Sequence, residues 1–529
     1  MVFVDRKVEE LRADVAVIGG GLGGCAAALA AVSLGRHVIL TEETQWVGGQ
    51  LTSQAVPPDE HRWIESFGAT ASYRRLRRGI RNYYREHVPL TSKARANPFL
   101  NPGNGWVSRL CFDPRIAVGL LHQLMNAHEL SGRLLVLRGH RPIAASTNGD
   151  RVSAVVVRHI ESGLNRRIEA PFFIDGTPFG DLLELAGVEH RVGPESRAET
   201  EEPHAAEQPD PTDEQAITVV FALDYLPDED HTIEKPRDYE RWRELRPPNW
   251  PGPLFGWTTV RPETHELLNR HLFEAEDGKP WWEFRRILDR ENFEEGFARS
   301  DVTLVNWPHT DYSFGSVLGV DAETRERHLA EARRLSKSFL YWLQTEAPRP
   351  DGGVGYRGIR LRSDVVGGTA DGLAPAAYVR SARRIVAELT VLEQHIAHPL
   401  RPDGPALFPD SVGVGCYRID LHPTVRGRPY LDMGCWPFQI PLGALIPIRV
   451  ENLLPGGKNL GVTHITNGAF RVHPVEWNVG ESAGILAAFC IERGLTPRAV
   501  RNTESVLREY QDLLQRQGVE LSWPTITPV

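Results

Sequence analysis

The sequence predicts an α/β fold whose first unit is a Rossmann-type dinucleotide-binding βαβ, and three observations predict it. A buried-strand pattern, Val15–Ile18, runs into Gly19-Gly20-Gly21-Leu22-Gly23-Gly24; an alanine-rich helical stretch from Cys25 to Ser33 follows; a second strand pattern from His37 ends in Glu42-Glu43. Gly19 suits the tight turn, Gly21 and its neighbour Gly23 the approach of a pyrophosphate to helix-opening amides, and Gly24 close packing of helix on strand. Glu42 stands twenty-three positions after Gly19, with Glu43 beside it. There a carboxylate accepts hydrogen bonds from ribose hydroxyls. A glycine triplet alone is a weak signal; the order strand, glycines, helix, strand, acid is specific, against the alternative of a purely structural βαβ turn.

At 529 residues the chain has room for two or three lobes and a large buried ligand. Its apolar runs are too short to cross a bilayer, and residues 1–10 alternate charge before the first strand, so they do not read as a secretory signal; a cytoplasmic protein is expected. The five cysteines, Cys25, Cys111, Cys416, Cys435 and Cys490, are dispersed and form no Cys-x-x-Cys. Reduced thiols are expected, with no metal site. The net charge of −9 gives no reason to expect nucleic acid.

Along the chain, a cofactor-binding domain is interrupted by other segments: 1–60 holds its first part, 61–110 a helical cap or insertion, and 111–195 its second part. Six arginines between Arg74 and Arg85 suit either a solvated helix face or an anionic partner. A helix is expected from Pro114, capped by Asp113, to about Asn126. Strands are expected at 134–137, 152–158 and 167–174, the middle one opened by a hairpin signal at Asn148-Gly149-Asp150. The acid-rich stretch 195–214 reads as an exposed linker or mobile loop. Residues 196–410, rich in tryptophan, are assigned to an α+β substrate domain inserted in the fold, with helices near 321–346 and 375–396. Residues 411–500 return to the cofactor domain, with strands at 438–448 and 459–463 and a small-residue helix opening near Val479. Residues 501–529 form a C-terminal helix and tail. A second glycine fingerprint is missing, which disfavours a second nucleotide domain.

Three stretches, Trp46-Val-Gly48-Gly49-Gln50-Leu-Thr52-Ser-Gln54 through His61, Asp175-Gly176-Thr-Pro-Phe-Gly180-Asp181, and Thr463-His464 through Asn478-Val-Gly480-Glu481-Ser482-Ala-Gly484, make the chain resemble a bacterial family of FAD-dependent oxidoreductases with a glutathione-reductase type of FAD fold. The likeness also takes in Arg109–Pro114, Asn306–Tyr312, Tyr378–Arg384 and Asp420–Pro423. The resemblance implies FAD as cofactor and a Rossmann-type FAD-binding domain discontinuous in sequence. It places Gly48, Gly49, Gln50 and Thr52 near the pyrophosphate and flavin ring, and Asp175, Gly176, Gly180 and Asp181 at the phosphates or ribityl chain. Gly480, Glu481 and Ser482 would face the pyrimidine end of the flavin, with Asn478 also at the cofactor and available to fix a substrate oxygen.

Such enzymes oxidise a C–H next to oxygen or nitrogen, which requires a protein base. Histidine suits that task near neutral pH. His464, His473 and His422 are the candidates, with Arg471 to fix a substrate oxygen; His61 and Glu60 are weaker ones. The expected reaction is hydride removal from a polar small molecule, with oxygen, a quinone or an electron carrier as oxidant. The alternatives are a flavin monooxygenase using NAD(P)H and oxygen, and a non-redox flavoprotein or assembly partner. The arginine helix and the aromatic-rich middle region suit a homodimer face as well as a pocket.

Overall fold

The computed structural model describes residues 8–524 and 527–529. The charge-alternating residues 1–7, on which the absence of a secretory signal was argued, lie outside the described residues. A five-stranded parallel sheet orders Leu453–Pro455, Phe172–Asp175, Val15–Ile18, Val38–Glu42 and Leu134–Arg138 side by side. Its strands come from sequence positions far apart, so the Rossmann-type domain is discontinuous, as the sequence implies. Side chains alternate between its faces, as the pleat requires. Val15, Val17, Leu40, Ile174 and Leu454 pack towards the helices. Ala16, Ile18, Ile39, Phe173 and Leu453 pack on Val155, Val157 and Ile168 of an antiparallel meander.

The meander is His140–Asn148, Arg151–His159 and Asn165–Glu169, with Glu9–Arg12 added in parallel at its edge. The Asn148-Gly149-Asp150 signal sits at its first hairpin. Two strand expectations change here. The single strand expected at 167–174 is two, divided at Ala170-Pro171, one closing the meander and the next entering the parallel sheet. Proline has no N–H for a ladder and stops the first strand there. The last parallel strand is Leu453–Pro455, whereas 459–463 is not a strand.

Helix Leu22–Ser33 lies along helix His473–Arg493, and both are buried over most of their surface. They meet backbone to backbone: a Cβ on Gly480 would stand 1.9 Å from the Gly23 carbonyl oxygen, and one on Gly484 2.3 Å from that of Ala27. Residues 217–379 build a second core. An antiparallel sheet of Arg286–Leu288, Val302–Val305, Phe221–Tyr225 and Ile359–Leu361 packs with helix Ala322–Thr345 around Trp242, Trp281, Trp307 and Phe339. Of the helix expected at 375–396 only a single turn, Glu393–Ile396, is helical, and 375–392 is an irregular passage between the two cores. Its amides pair with distant backbone, Tyr378 with Thr218, Arg383 with Phe179 and Ile385 with Asn459.

The acid-rich stretch is not a linker. Glu195 pairs with Arg384, Glu202 accepts from Thr463, and Glu214 accepts from the Val317 and Leu318 amides. In the arginine helix, Ala71–His87, two arginines turn inward: Arg77 is bonded to Glu60 and Glu65, and Arg81 to Glu65. No helix among the described residues is long and apolar enough to cross a membrane. All five cysteines are buried and free. Because the two long helices touch through glycine, Gly480→Ala is expected to lower stability by about 1–3 kcal/mol through overpacking. Chemical denaturation measures it, and an unchanged midpoint would contradict the contact.

Candidate active site

The carboxyl ends of four parallel strands open into one cavity of about 1080 Å³. That is the edge at which open α/β sheets bind ligands. The loop after Ile18 contributes Gly19, Gly21 and Gly23, the strand ending at Glu42 contributes Glu42 and Glu43, the loop after Asp175 contributes Gly176, and the turn after Pro455 contributes Gly456, Gly457 and Lys458. Gly49 and Gln50 close one wall, and Asp181 lies at the rim. Gly19 has φ +99°, and a Cβ on it would lie 2.4 Å from the Gly176 carbonyl carbon, so glycine is required by conformation and by space.

The polar groups here are underused by the protein itself. Glu42 Oε1 accepts from the Thr44 amide and hydroxyl, both at 2.8 Å, and burial pushes its carboxyl up to about 7. Gln50 Nε2 donates to the Arg471 carbonyl at 2.9 Å and to Glu476 at 2.6 Å, while its Oε1 and the Gln54 Oε1 are buried without a partner. Lys458 Nζ is 3.7 Å from Glu476, and burial pushes its ammonium down. The volume matches the largest ligand pockets, which run to roughly 1,000 Å³. A glycine-lined cradle with a buried acid at the second strand's end fits a dinucleotide.

Several residues named from the sequence stand just outside the cavity. Gly24 packs under the turn, where a Cβ would meet the Gly19 carbonyl oxygen at 2.1 Å. The Gly48 amide donates to Gly20 at 2.7 Å, and the Thr52 hydroxyl to Val47 at 2.7 Å, fixing the turn that presents Gly49 and Gln50. Asp175 Oδ1 accepts from the Thr177 amide and hydroxyl at 3.0 and 2.7 Å, Oδ2 is buried unpaired, and burial pushes the carboxyl up to about 7. Gly180 caps helix Asp181–Leu185, and Asp181 pairs with Arg325 and Arg383. Asn478, Gly480, Glu481 and Ser482 do not face the cavity, because the helix opens at His473 rather than near Val479. Asn478 and Ser482 bond the Val412 carbonyl, Glu481 accepts from Ser72, and Gly480 abuts Gly23. The first-turn residue that does line the cavity is Glu476.

Behind the Gln50 wall lies a second chamber of about 300 Å³, lined by His422, Arg471, Tyr378, Asp420, Arg285 and Asn306 among others. Arg471 joins the two spaces: its carbonyl binds Gln50, while its guanidinium donates to the Tyr378 hydroxyl at 2.6 Å and to Asp420 at 2.9 Å. His422 Nδ1 is 2.5 Å from Asp311 Oδ2, and its Nε2 is 3.8 Å from Asp420. Burial alone would raise the Asp311 carboxyl; the Arg380 charge beside it, with the hydrogen bonds from His422 and Thr218, outweighs burial and holds it well below the usual carboxylate range. Nδ1–H of His422 therefore has a fixed anionic acceptor, which leaves Nε2 as the proton-accepting atom.

His473 and His464 lie elsewhere. His473 Nδ1 accepts from the Asp59 amide at 3.0 Å, so Nε2–H donates to the Val56 carbonyl at 3.2 Å, and burial pushes the ring down to about 4. Both nitrogens are committed to backbone groups, at Asp59 and Val56. His464 is buried, its Nδ1 without a partner, and burial with the nearby Arg384 charge pushes it down to about 3. Neither lines the cavity or the chamber. Glu60 is spent on Arg77 and Tyr73, and His61 packs edge-on to Trp523 with Nε2 3.0 Å from the Gly68 carbonyl. Sequence reasoning missed Lys458, Glu476, Asp311, Arg285 and Asn306 as site residues. Gly456-Gly457-Lys458 directly after a strand was a readable signal for the first.

A family model described as FAD dependent oxidoreductase matches residues 14–514. No curated protein matches the sequence. Among solved structures the chain is similar to a myxobacterial FAD-dependent chondrochloren halogenase, at 12% identity over 96% of this chain and 82% of that one, TM-score 0.32. It is similar to a geranylgeranyl bacteriochlorophyll reductase-like protein from Thermoplasma acidophilum at 11% identity, 96% and 85% coverage, TM-score 0.32. A shorter match, to L-proline dehydrogenase from P. horikoshii, has 16% identity over 36% of this chain and 25% of that one, TM-score 0.18.

The buried neutral His473 makes a pH-dependent contribution. Its folded-state value, about 4, lies below the ordinary 6.5, so its stabilisation is complete above pH 6.5 and is lost as pH falls towards 4. His473→Gln is expected to flatten this acid limb of stability; equal acid slopes in the two proteins would contradict the buried, neutral assignment.

Proposed function

The chain belongs to the FAD-dependent oxidoreductase family, and on that premise we propose that it takes a hydride from a C–H bond next to oxygen or nitrogen of a polar small molecule while His422 takes the accompanying proton. The observation that carries this reading is His422 on the wall of a chamber adjoining the cofactor cavity, with its Nδ1 2.5 Å from Asp311 Oδ2 behind it. Bound FAD supplies the hydride acceptor. In this reading Gly19, Gly21 and Gly23 admit its pyrophosphate, Glu42 holds a ribose hydroxyl, and Gln50, Lys458 and Glu476 face its remaining polar edge.

The chain's own residues do the rest. Asp311 keeps His422 in the tautomer whose Nε2 is open, and its negative charge stabilises the imidazolium that forms. Arg471, braced by Tyr378 and Asp420, holds an oxygen of the substrate. The proton leaves His422 on the side of Asp420, whose Oδ1 is 3.8 Å from Nε2. The organic product is a C=O or C=N compound. The electron pair goes on to oxygen, a quinone or a separate carrier.

Two variants test this. His422→Gln is expected to slow anaerobic flavin reduction by an organic donor, taken from polyols, sugars and amines, by about 10²-fold or more while FAD content stays the same. An unchanged rate would remove His422 as the base. Glu42→Ala is expected to weaken FAD binding by about 1–3 kcal/mol, the loss typical of hydrogen bonds to a charged group. Unchanged holo-protein content at limiting FAD would rule out the ribose assignment.

A further inference from the structure

We infer that the chamber is built for a substrate bearing a carboxylate, with Arg285 and Asn306 as its seat. This rests on the reading of the chamber as the substrate site and names the chemical class that fits it. Of the six arginines that line the chamber, four donate to a carboxylate: Arg270 to Asp277, Arg380 to Asp311, Arg418 to Asp432 and Arg471 to Asp420. Arg285 differs. Its Nε and Nη1 are buried without a hydrogen-bond partner, and its nearest carboxylate, Asp59, is 3.8 Å away, too far for a hydrogen bond. Asn306 is 4% exposed, and both its amide oxygen and its amide nitrogen lack a partner.

Leaving two guanidinium nitrogens and an amide buried without hydrogen bonds is costly, since each gives up hydration without replacement. Their placement is not loose. Arg285 precedes strand Arg286–Leu288 and Asn306 follows strand Val302–Val305, its antiparallel partner, and the Leu304 amide donates to the Arg285 carbonyl at 3.1 Å. Two side chains on adjoining strand ends thus offer N–H groups to one space. A guanidinium fork matches a carboxylate in two-point geometry, and the amide nitrogen adds a third donor. Trp106, Trp281 and Phe284 line the same chamber, with the Arg285 guanidinium 4.8 Å from the Phe284 ring centroid, so the carboxylate's apolar body has a surface to rest on. Asp59 opposes an incoming anion and is the tuning element of the seat.

Equilibrium titration of the FAD-loaded protein with benzoate and with its neutral counterpart benzamide, followed by the flavin spectrum and tryptophan fluorescence, tests the inference. Benzoate is expected to bind saturably and at least tenfold more tightly than benzamide. Arg285→Gln is expected to lose at least tenfold in benzoate affinity, and Asp59→Asn to gain severalfold. Equal binding of the two ligands, or saturation by inorganic phosphate but not by benzoate, would overturn the carboxylate seat, as would an unaffected Arg285→Gln protein. The benzoate and benzamide comparison uses the unaltered protein, so it decides the matter even where a variant fails to fold. Binding is read here without turnover. Carboxylate preference with no donor able to reduce the flavin would sink the hydride reading and keep the seat, whereas reduction by neutral donors with no carboxylate preference would do the reverse.

Discussion

The contact on which the rest of the molecule depends is the one between helix Leu22–Ser33 and helix His473–Arg493. Gly23 and Gly480 meet with no side chain between them, and Gly23 also lies under Gly456, whose carbonyl oxygen would be 1.8 Å from a Cβ. One crossing therefore fixes three things: the glycine turn, the end of the last parallel strand and the first turn of the late helix. Those segments carry Gly21, Lys458 and Glu476 into one cavity. A long stretch of intervening chain is free to build the second core because its two ends are clamped at the sheet.

The same clamp sets the boundary between the two spaces. Gln50, presented by the turn packed on the glycine loop, is bonded to Glu476 in the late helix and to the carbonyl of Arg471 just before it. On the far side, the Arg471 side chain is held by Tyr378 and Asp420. Gln50, on the cavity side, and Arg471, on the chamber side, together form the partition between the two spaces, held by hydrogen bonds from both sides. In the proposed reaction the proton is taken separately, by His422, and leaves on the side of Asp420.

What the sequence disclosed follows from how local each constraint is. Gly19 and Glu42 were legible because the turn and the acid belong to one βαβ unit, whose geometry is written in consecutive residues. The late helix was legible in kind but not in start. It is buried all round, so it shows no polar face, and its opening residues His473 to Asn478 look like a polar loop. The passage from 375 to 396 has a helical spacing of apolar residues, yet up to Val391 its amides pair with backbone brought in from elsewhere, and only Glu393–Ile396 is helical. His422 was named, but its partner Asp311 lies on a distant strand and only the fold joins them. Arg285 and Asn306 were illegible as a seat for the same reason: each is ordinary alone, and their lack of partners exists only in three dimensions.

The most direct measurement is a crystal structure of the FAD-loaded protein. The account expects the cofactor to fill the large cavity, with its ribose at Glu42 and its ring system against the Gln50 wall, on the side facing His422 and Arg471. A ring system directed instead towards Arg325 and Arg333 at the opposite rim, away from the chamber, would contradict it.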